Sequence, residues 1–357
     1  MSMVPARRNI LLIWAALVCV GASAFAAPEE APPTARALVL GGHALDPKGP
    51  YARNMNDWVD RFVKLLVGKW GVPVENIQVL ADREAAKAEP PVRKSTLKNV
   101  HAAFETLKRR LRANDQFILF VVGHGTVTEP VGKLCLPGAD LKATELADLL
   151  DALPTRKIVI VNCASGGAEF LEKYSRRRRV VVSACGITGQ GAQTYFAEFF
   201  LLAYERGKAD ANGDGVITLL EAFNRAAHQC INWYHRQYKV KKEKGEPVLP
   251  REVIVRTREA RRLFRKFYDG VKDLQMLEPP QGDDEDENSD PSFEGLQDLP
   301  FRRESGEHAS LEDRGENRGA LHWTQNKHRV LKGEPGEQGE TAARTVLGSP
   351  RLLAPPR

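Results

Sequence analysis

Two stretches hold the side chains best suited to chemistry. FILFVVGHG, from Phe117 to Gly125, ends on His124 between two glycines. KIVIVNCASGG, from Lys157 to Gly167, carries Cys163 where a β-branched run gives way to small residues. Both read as buried strands of a parallel sheet, in which functional groups gather beyond the carboxyl ends. A thiol with an ordinary pKa near 8.5 is only a few per cent thiolate at neutral pH, so its attack on an amide gains from a nearby imidazole. That imidazole would take the proton and return it to the departing amine. The backbone N–H groups of Cys163 and Gly125 are the expected donors to the tetrahedral oxyanion. Alone, a strand-end cysteine reads more readily as inert core; the histidine ending another strand is what points to a nucleophile and its base. Cys185 in VVSACGITG is the rival nucleophile and His43 in LGGHALD the rival base, while Cys135 and Cys230 read as structural.

A second pattern is more specific. In ADANGDGVITLLEAF, Asp210, Asn212, Asp214, Gly215, Ile217 and Glu221 match the twelve-residue EF-hand loop that binds Ca2+. Asp210, Asn212 and Asp214 would supply side-chain oxygens, Val216 a carbonyl, Thr218 a direct or water-mediated oxygen, and Glu221 a bidentate carboxylate. Gly215 permits the sharp turn. An Asp/Gly-rich turn between two helices, without metal, is the plainer alternative. The expected role of the ion is structural, pinning helices behind the sheet.

The elements that must position these residues alternate along the chain. ARALVLGG, ENIQVLAD, DQFILFVVGHG, KIVIVNC and RVVVSAC read as strands. Between them lie helical faces, marked by Trp58, Phe62, Leu65 and Leu66, then by Leu97, Val100, Phe104, Leu107 and Leu111 behind a Ser95 cap, then by Leu146, Leu149, Leu150 and Leu153. Continuous Val/Ile runs separated by helices predict an α/β fold with a parallel sheet covered on both sides.

A strand ending in HG, a helix, and a strand ending in C-x-S-G resemble the caspase-like cysteine peptidases, legumain relatives in particular, over roughly Ala37 to Tyr204. The resemblance implies a three-layer sandwich with a mostly parallel sheet. It also implies a catalytic His124/Cys163 dyad, hydrolysis of protein or peptide substrates, and no cofactor for catalysis. By the same resemblance Arg53 in GPYARNMND corresponds to the arginine of the family's first strand-to-helix loop, and Cys185 to a position beside the specificity pocket, so both are expected at the substrate. Ala164 stands where legumain has a pocket glutamate, and Tyr51 where it has an asparagine supporting the histidine. A preference for asparagine at the cleavage site is therefore not implied. The competing class is a caspase-like, calcium-binding interaction module without catalysis.

The ends of the chain bound its setting. Arg7 and Arg8, the apolar run Ile10 to Val20, and Ala22-Ser23-Ala24-Phe25-Ala26 read as a cleaved export signal, residues 1–26. The run is short for a membrane span, which takes about 20 residues. The expected location is periplasmic or extracellular, with no stable membrane insertion afterwards. The four remaining cysteines show no C-x-x-C spacing, which argues against zinc. A net charge of +6 without an aromatic-interleaved basic face argues against nucleic acid. One α/β domain is expected over residues 27–275. Residues 276–357, acidic and Gly/Pro-rich, are expected to be disordered. The Arg176–Arg179 run reads as solvated loop charge or a processing point.

Overall fold

Eight residues from Gln116 to Gly123 (QFILFVVG) are buried without exception, which marks a strand covered on both faces and paired on both edges. This strand, β4, is flanked by β1 (Ala35–Gly41) and β8 (Lys157–Ala164), both parallel to it. In the computed structural model the sheet runs β10-β9-β8-β4-β1-β2-β3, with β2 at Ile77–Ala81, β3 at Val92–Lys94, β9 at Arg179–Ser183 and β10 at Ser310–Glu312. All neighbours are parallel except β10 and β9. The structure describes residues 32–44, 46–128, 131–165, 167–177, 179–184, 194–243, 309–314, 331–335 and 338–349. From Pro33 onward they belong to one unit. The expected signal segment and Cys185 lie outside the described residues, among which no helix is long and apolar enough to cross a membrane.

Helices cover both faces, as the alternating apolar runs predict. One layer holds α1 (Pro50–Lys64), α5 (Phe196–Glu205) and α6 (Leu219–Glu243), packed on Val39, Phe120 and Val161 through Phe62, Phe200 and Trp233. The other holds α2 (Leu97–Arg110), α3 (Ala143–Asp151) and α4 (Gly167–Tyr174), packed on Leu38, Leu119 and Ile160 through Phe104, Leu150 and Phe170. Pro50 starts α1, where its missing N–H costs nothing. Tyr51, Met55, Trp58, Val59 and Phe62 then face inward at helical spacing. The Arg61 guanidinium, donating to Glu198 at 2.7 Å and Glu205 at 2.6 Å, ties α1 to α5.

Several expectations are corrected here. The cap of α2 is Thr96, whose hydroxyl accepts from the Asn99 N–H at 3.3 Å. Ser95 is buried one residue earlier, because its N–H bonds the carbonyl of Ala81 at 2.8 Å at the end of β2. After His124 the chain forms an antiparallel sheet of β5 (Gly125–Thr128), β6 (Val131–Leu134) and β7 (Leu141–Lys142), strands too short and polar to show in periodicity.

Disorder does not hold for the described parts of the tail. Leu311, Leu331, Ala342 and Leu347 are buried in the main core. The Asp313 carboxylate accepts from the Gly339 and Ala342 N–H groups at 3.0 and 2.9 Å, capping a short helix, α7 (Glu340–Ala343). These apolar residues are so widely spaced that composition hides them.

Arg179 is not a solvated loop charge either. Only 5% exposed, its guanidinium donates to Asp151 at 2.8 Å and to the Tyr174 carbonyl at 3.0 Å. Burial lowers its pKa, with Asp151 acting to raise it. Asp151→Ala strands this cation and is expected to cost on the order of 3 kcal/mol of stability, read from the urea midpoint.

Candidate active site

The strand order reverses between β1 and β4: β2 and β3 lie beyond one, β8 and β9 beyond the other. Open α/β sheets bind ligands at such a switch point. Here the backbone is tightly laced. Gly42 donates its N–H to the Val122 carbonyl at 2.7 Å, His43 to that of Cys135 at 2.7 Å, and Cys135 to that of His124 at 2.8 Å. A Cβ on Gly123 would stand 3.0 Å from Leu134 Cδ1 and 3.1 Å from Gly42 Cα, so the strand ends need a glycine there to close together. His43, His124 and Cys135 are thus held at one end of the sheet.

β8 lies directly beside β4, with Val122 paired to Cys163 and Gly123 to Ala164. Cys163 points into the core on the α1 side and is 0% exposed. Its carbonyl accepts from the Thr194 hydroxyl, and the Thr194 N–H donates to the Tyr51 hydroxyl at 3.2 Å. Tyr51 and Thr194 are themselves buried. Tyr51 is therefore tied through Thr194 to the backbone of Cys163.

His124 is half-buried, and its Nδ1 lies 3.3 Å from the hydroxyl of Ser165. That hydroxyl accepts from the Gly125 N–H at 2.9 Å and stands 3.0 Å from the Gly125 carbonyl. The Gly125 N–H, expected at an oxyanion, is thus spent on Ser165 in this conformation, because β8 overshoots far enough to reach it. The approach is close: a Cβ on Gly125 would fall 2.0 Å from the Ser165 carbonyl oxygen. Gly125→Ala must move backbone, and is expected to abolish folding or displace His124 altogether, as seen in the amide spectrum.

His43, the rival base in the sequence, has an acidic partner. The structure pairs its Nδ1 with Asp82 at 2.5 Å, and Asp82 also takes Lys94 at 2.8 Å. Asp82 borders a shallow, open cleft with Gly41, Gly42, Met55, Asn56 and Ala81 among its lining. Asp82 ends ENIQVLAD, so the strand-end rule that found His124 could have found it. Arg53 is exposed, its guanidinium donating to the Lys48 carbonyl at 2.9 Å in the loop before its own helix. Burial, with Asp140 adding to it, pushes the Cys135 thiol up to about 11, against weaker lowering by Thr126 and Lys133. Cys135 is therefore expected to label slowly with iodoacetamide at pH 8, as peptide mapping would show.

The acidic loop lies between α5 and α6. Asp210 accepts from the N–H groups of Gly213 and Gly215 at 2.8 Å and of Asp214 at 3.2 Å. Gly213 and Gly215 take φ of +73° and +82°, open only to glycine at little cost. Asn212 accepts from the Asp214 N–H at 2.9 Å, and Asp214 from the Val216 N–H at 2.8 Å. Glu221 accepts from Thr218 N–H at 2.8 Å and from Ala211 N–H at 3.2 Å. The Thr218 hydroxyl in turn accepts from the Glu221 N–H at 3.2 Å, which makes Thr218 and Glu221 a capping box for α6. That second role for T-x-x-E was legible in the sequence and went unread. With the side chains turned to the backbone in this way, no three His, Cys, Asp or Glu side chains among the described residues stand together as metal ligands.

No protein-family model matches the chain, and no curated protein matches it. Among solved structures it is similar to the protein GSU0716 from Geobacter sulfurreducens, at 16% identity and a TM-score of 0.38 over 55% of this chain and 89% of that one. It is also similar to caspase-1 from Spodoptera frugiperda, at 12% identity and a TM-score of 0.35 over 56% of this chain and 77% of that one. The Drosophila initiator caspase Dronc gives 10% identity and a TM-score of 0.28 over 47% and 63%. These three TM-scores lie below 0.5, so the functional reading rests on the residues of this chain.

Proposed function

We propose that the chain is an exported cysteine endopeptidase of the caspase/legumain type, in which Cys163 attacks the peptide bond and His124 manages its proton. The observation that carries this reading is the pairing of β4 with β8, which sets Cys163 opposite Val122 and His124 two residues further along at the sheet's carboxyl edge. In the forward step the thiolate attacks the carbonyl carbon, and imidazolium His124 protonates the departing amine. Water then hydrolyses the thioester with His124 as base. A protein or peptide is the substrate, with Arg53 and Cys185 as its expected contacts. A Ca2+ ion in the 210–221 loop would brace α5 against α6.

The test is alkylation of the intact protein followed by peptide mapping. Cys163 is expected to label faster than Cys135 and Cys230; equal, slow labelling of all of them overturns the reading. The closed state of Cys163 favours the second reading, a caspase-like interaction module without catalysis, because a nucleophile at 0% exposure cannot meet a substrate. The two readings part at Tyr51→Phe, which removes the acceptor of the Thr194 N–H. In a peptidase that opens at this contact, labelling of Cys163 rises about fivefold, the population equivalent of about 1 kcal/mol per hydrogen bond. In a permanently closed scaffold it does not change.

A further inference from the structure

Ser165 belongs to the C-x-S-G stretch, yet the dyad gives it no task. It is 1% exposed, and its hydroxyl meets three groups at once. The Gly125 N–H stands at 2.9 Å, the Gly125 carbonyl oxygen at 3.0 Å and His124 Nδ1 at 3.3 Å. A serine hydroxyl has one proton to give and two lone pairs to receive with. The Gly125 N–H can only donate, so it uses one lone pair. The Gly125 carbonyl can only accept, and it lies nearer than Nδ1, so it takes the hydroxyl proton. What remains for His124 is the second lone pair, and only a protonated Nδ1 can use it.

We infer that Ser165 is a positioning residue that fixes the tautomer of His124, holding the proton on Nδ1 and leaving Nε2 as the basic nitrogen. The three contacts give the Gly125 N–H, the Gly125 carbonyl and an Nδ1 proton each a place on the Ser165 hydroxyl. The opposite tautomer would set the Nδ1 lone pair against an oxygen lone pair in a buried site, where an unmet polar group costs most. The arrangement has a chemical consequence. A histidine that accepts a proton through Nε2 must present that nitrogen unprotonated before reaction, and outer partners of the other nitrogen are what decide this. Ser165 would act here as a neutral orienting group, one that holds the ring without adding charge. Its reach depends on Gly125, since a side chain there would collide with the Ser165 carbonyl. The consequence for catalysis rests on the peptidase reading above; the tautomer itself does not.

Long-range ¹H–¹⁵N correlation spectra of the full chain, uniformly ¹⁵N-labelled and above the histidine titration range, read the tautomer directly. His124 is assigned by difference against His124→Gln. The expected result is His124 protonated on Nδ1 in the unmodified protein, a measurement that needs no variant at Ser165. Ser165→Ala, checked for an intact fold by its amide spectrum, is expected to move the proton toward Nε2. It should also slow peptide hydrolysis by about 10–100-fold, the range seen when outer partners of functional histidines are removed. His124 protonated on Nε2 in the unmodified protein overturns the inference, as does a tautomer unaltered by Ser165→Ala. An inert Cys163 alongside Nδ1-protonated His124 would remove the peptidase reading and support the tautomer assignment.

Discussion

His124→Ala is expected to cut peptide hydrolysis by about 10²–10⁴-fold, the range for loss of a general acid–base group. Labelling of Cys163 by iodoacetamide should fall far less, by about tenfold or below. The difference follows from what each reaction asks of the histidine. Alkylation needs only a thiolate, and at pH 7 a thiol of ordinary pKa is about 3% ionised, which caps the gain from full ionisation near 30-fold. A thiolate stabilised by imidazolium is also intrinsically less nucleophilic, which offsets part of that gain. Hydrolysis additionally needs a proton delivered to the leaving amine, the task proposed for His124. Parallel losses in both assays would mean that His124→Ala had disturbed Cys163 structurally. Intact hydrolysis in Cys163→Ala would end the peptidase reading outright.

Calcium is expected to raise the stability of the protein by about 2.7 kcal/mol when present at a hundred times its dissociation constant. A single extracellular-type loop binds at roughly 10⁻⁴–10⁻³ M, so about 10–100 mM Ca2+ is the range to use. The capping box complicates the obvious variant. Glu221→Ala removes a helix cap as well as a bidentate ligand, so it should lose about 1 kcal/mol even without calcium. Glu221→Gln separates the two, because glutamine can still serve at that cap position while its amide is a poor bidentate ligand. The expected result is a calcium-free melting temperature near that of the parent, with the calcium-dependent rise lost. A parent protein whose melting curve ignores calcium would leave the loop as a plain capped turn.

The fold was legible where burial is continuous. FILFVV and KIVIV have no polar face, so they could only be central strands, and the structure makes them neighbours. His124 and Cys163 followed, because a strand's last residues fall at the sheet edge whatever the details. The legible part stopped where contacts are made by single polar atoms. Nothing in NCASGG shows that the Ser165 hydroxyl turns back to Gly125, or that Tyr51 of α1 is linked through Thr194 to the Cys163 carbonyl. Asp82 ends ENIQVLAD just as His124 ends its strand, but a single strand-end carboxylate has no motif around it to mark it out. The tail misled for a different reason. Leu311, Leu331 and Leu347 are buried one at a time, and an average over acidic, Gly/Pro-rich sequence erases single residues.

The place of β10 has a bearing on how the molecule comes to exist. Ser310–Glu312 supplies the only antiparallel strand of the main sheet among the described residues, lying along β9 beyond Cys163 and paired through Val181 to Ser183. Further along the chain, Val346 and Ser349 anchor on Gln116, the first residue of β4, whose amide donates to both their carbonyls at 3.0 Å. A ribosome finishes β9 long before it finishes β10, so β9 waits for this antiparallel partner until Ser310–Glu312 emerges. Any shortened version ending near Leu277 would lack that partner permanently, and an unpaired strand edge is a template for aggregation.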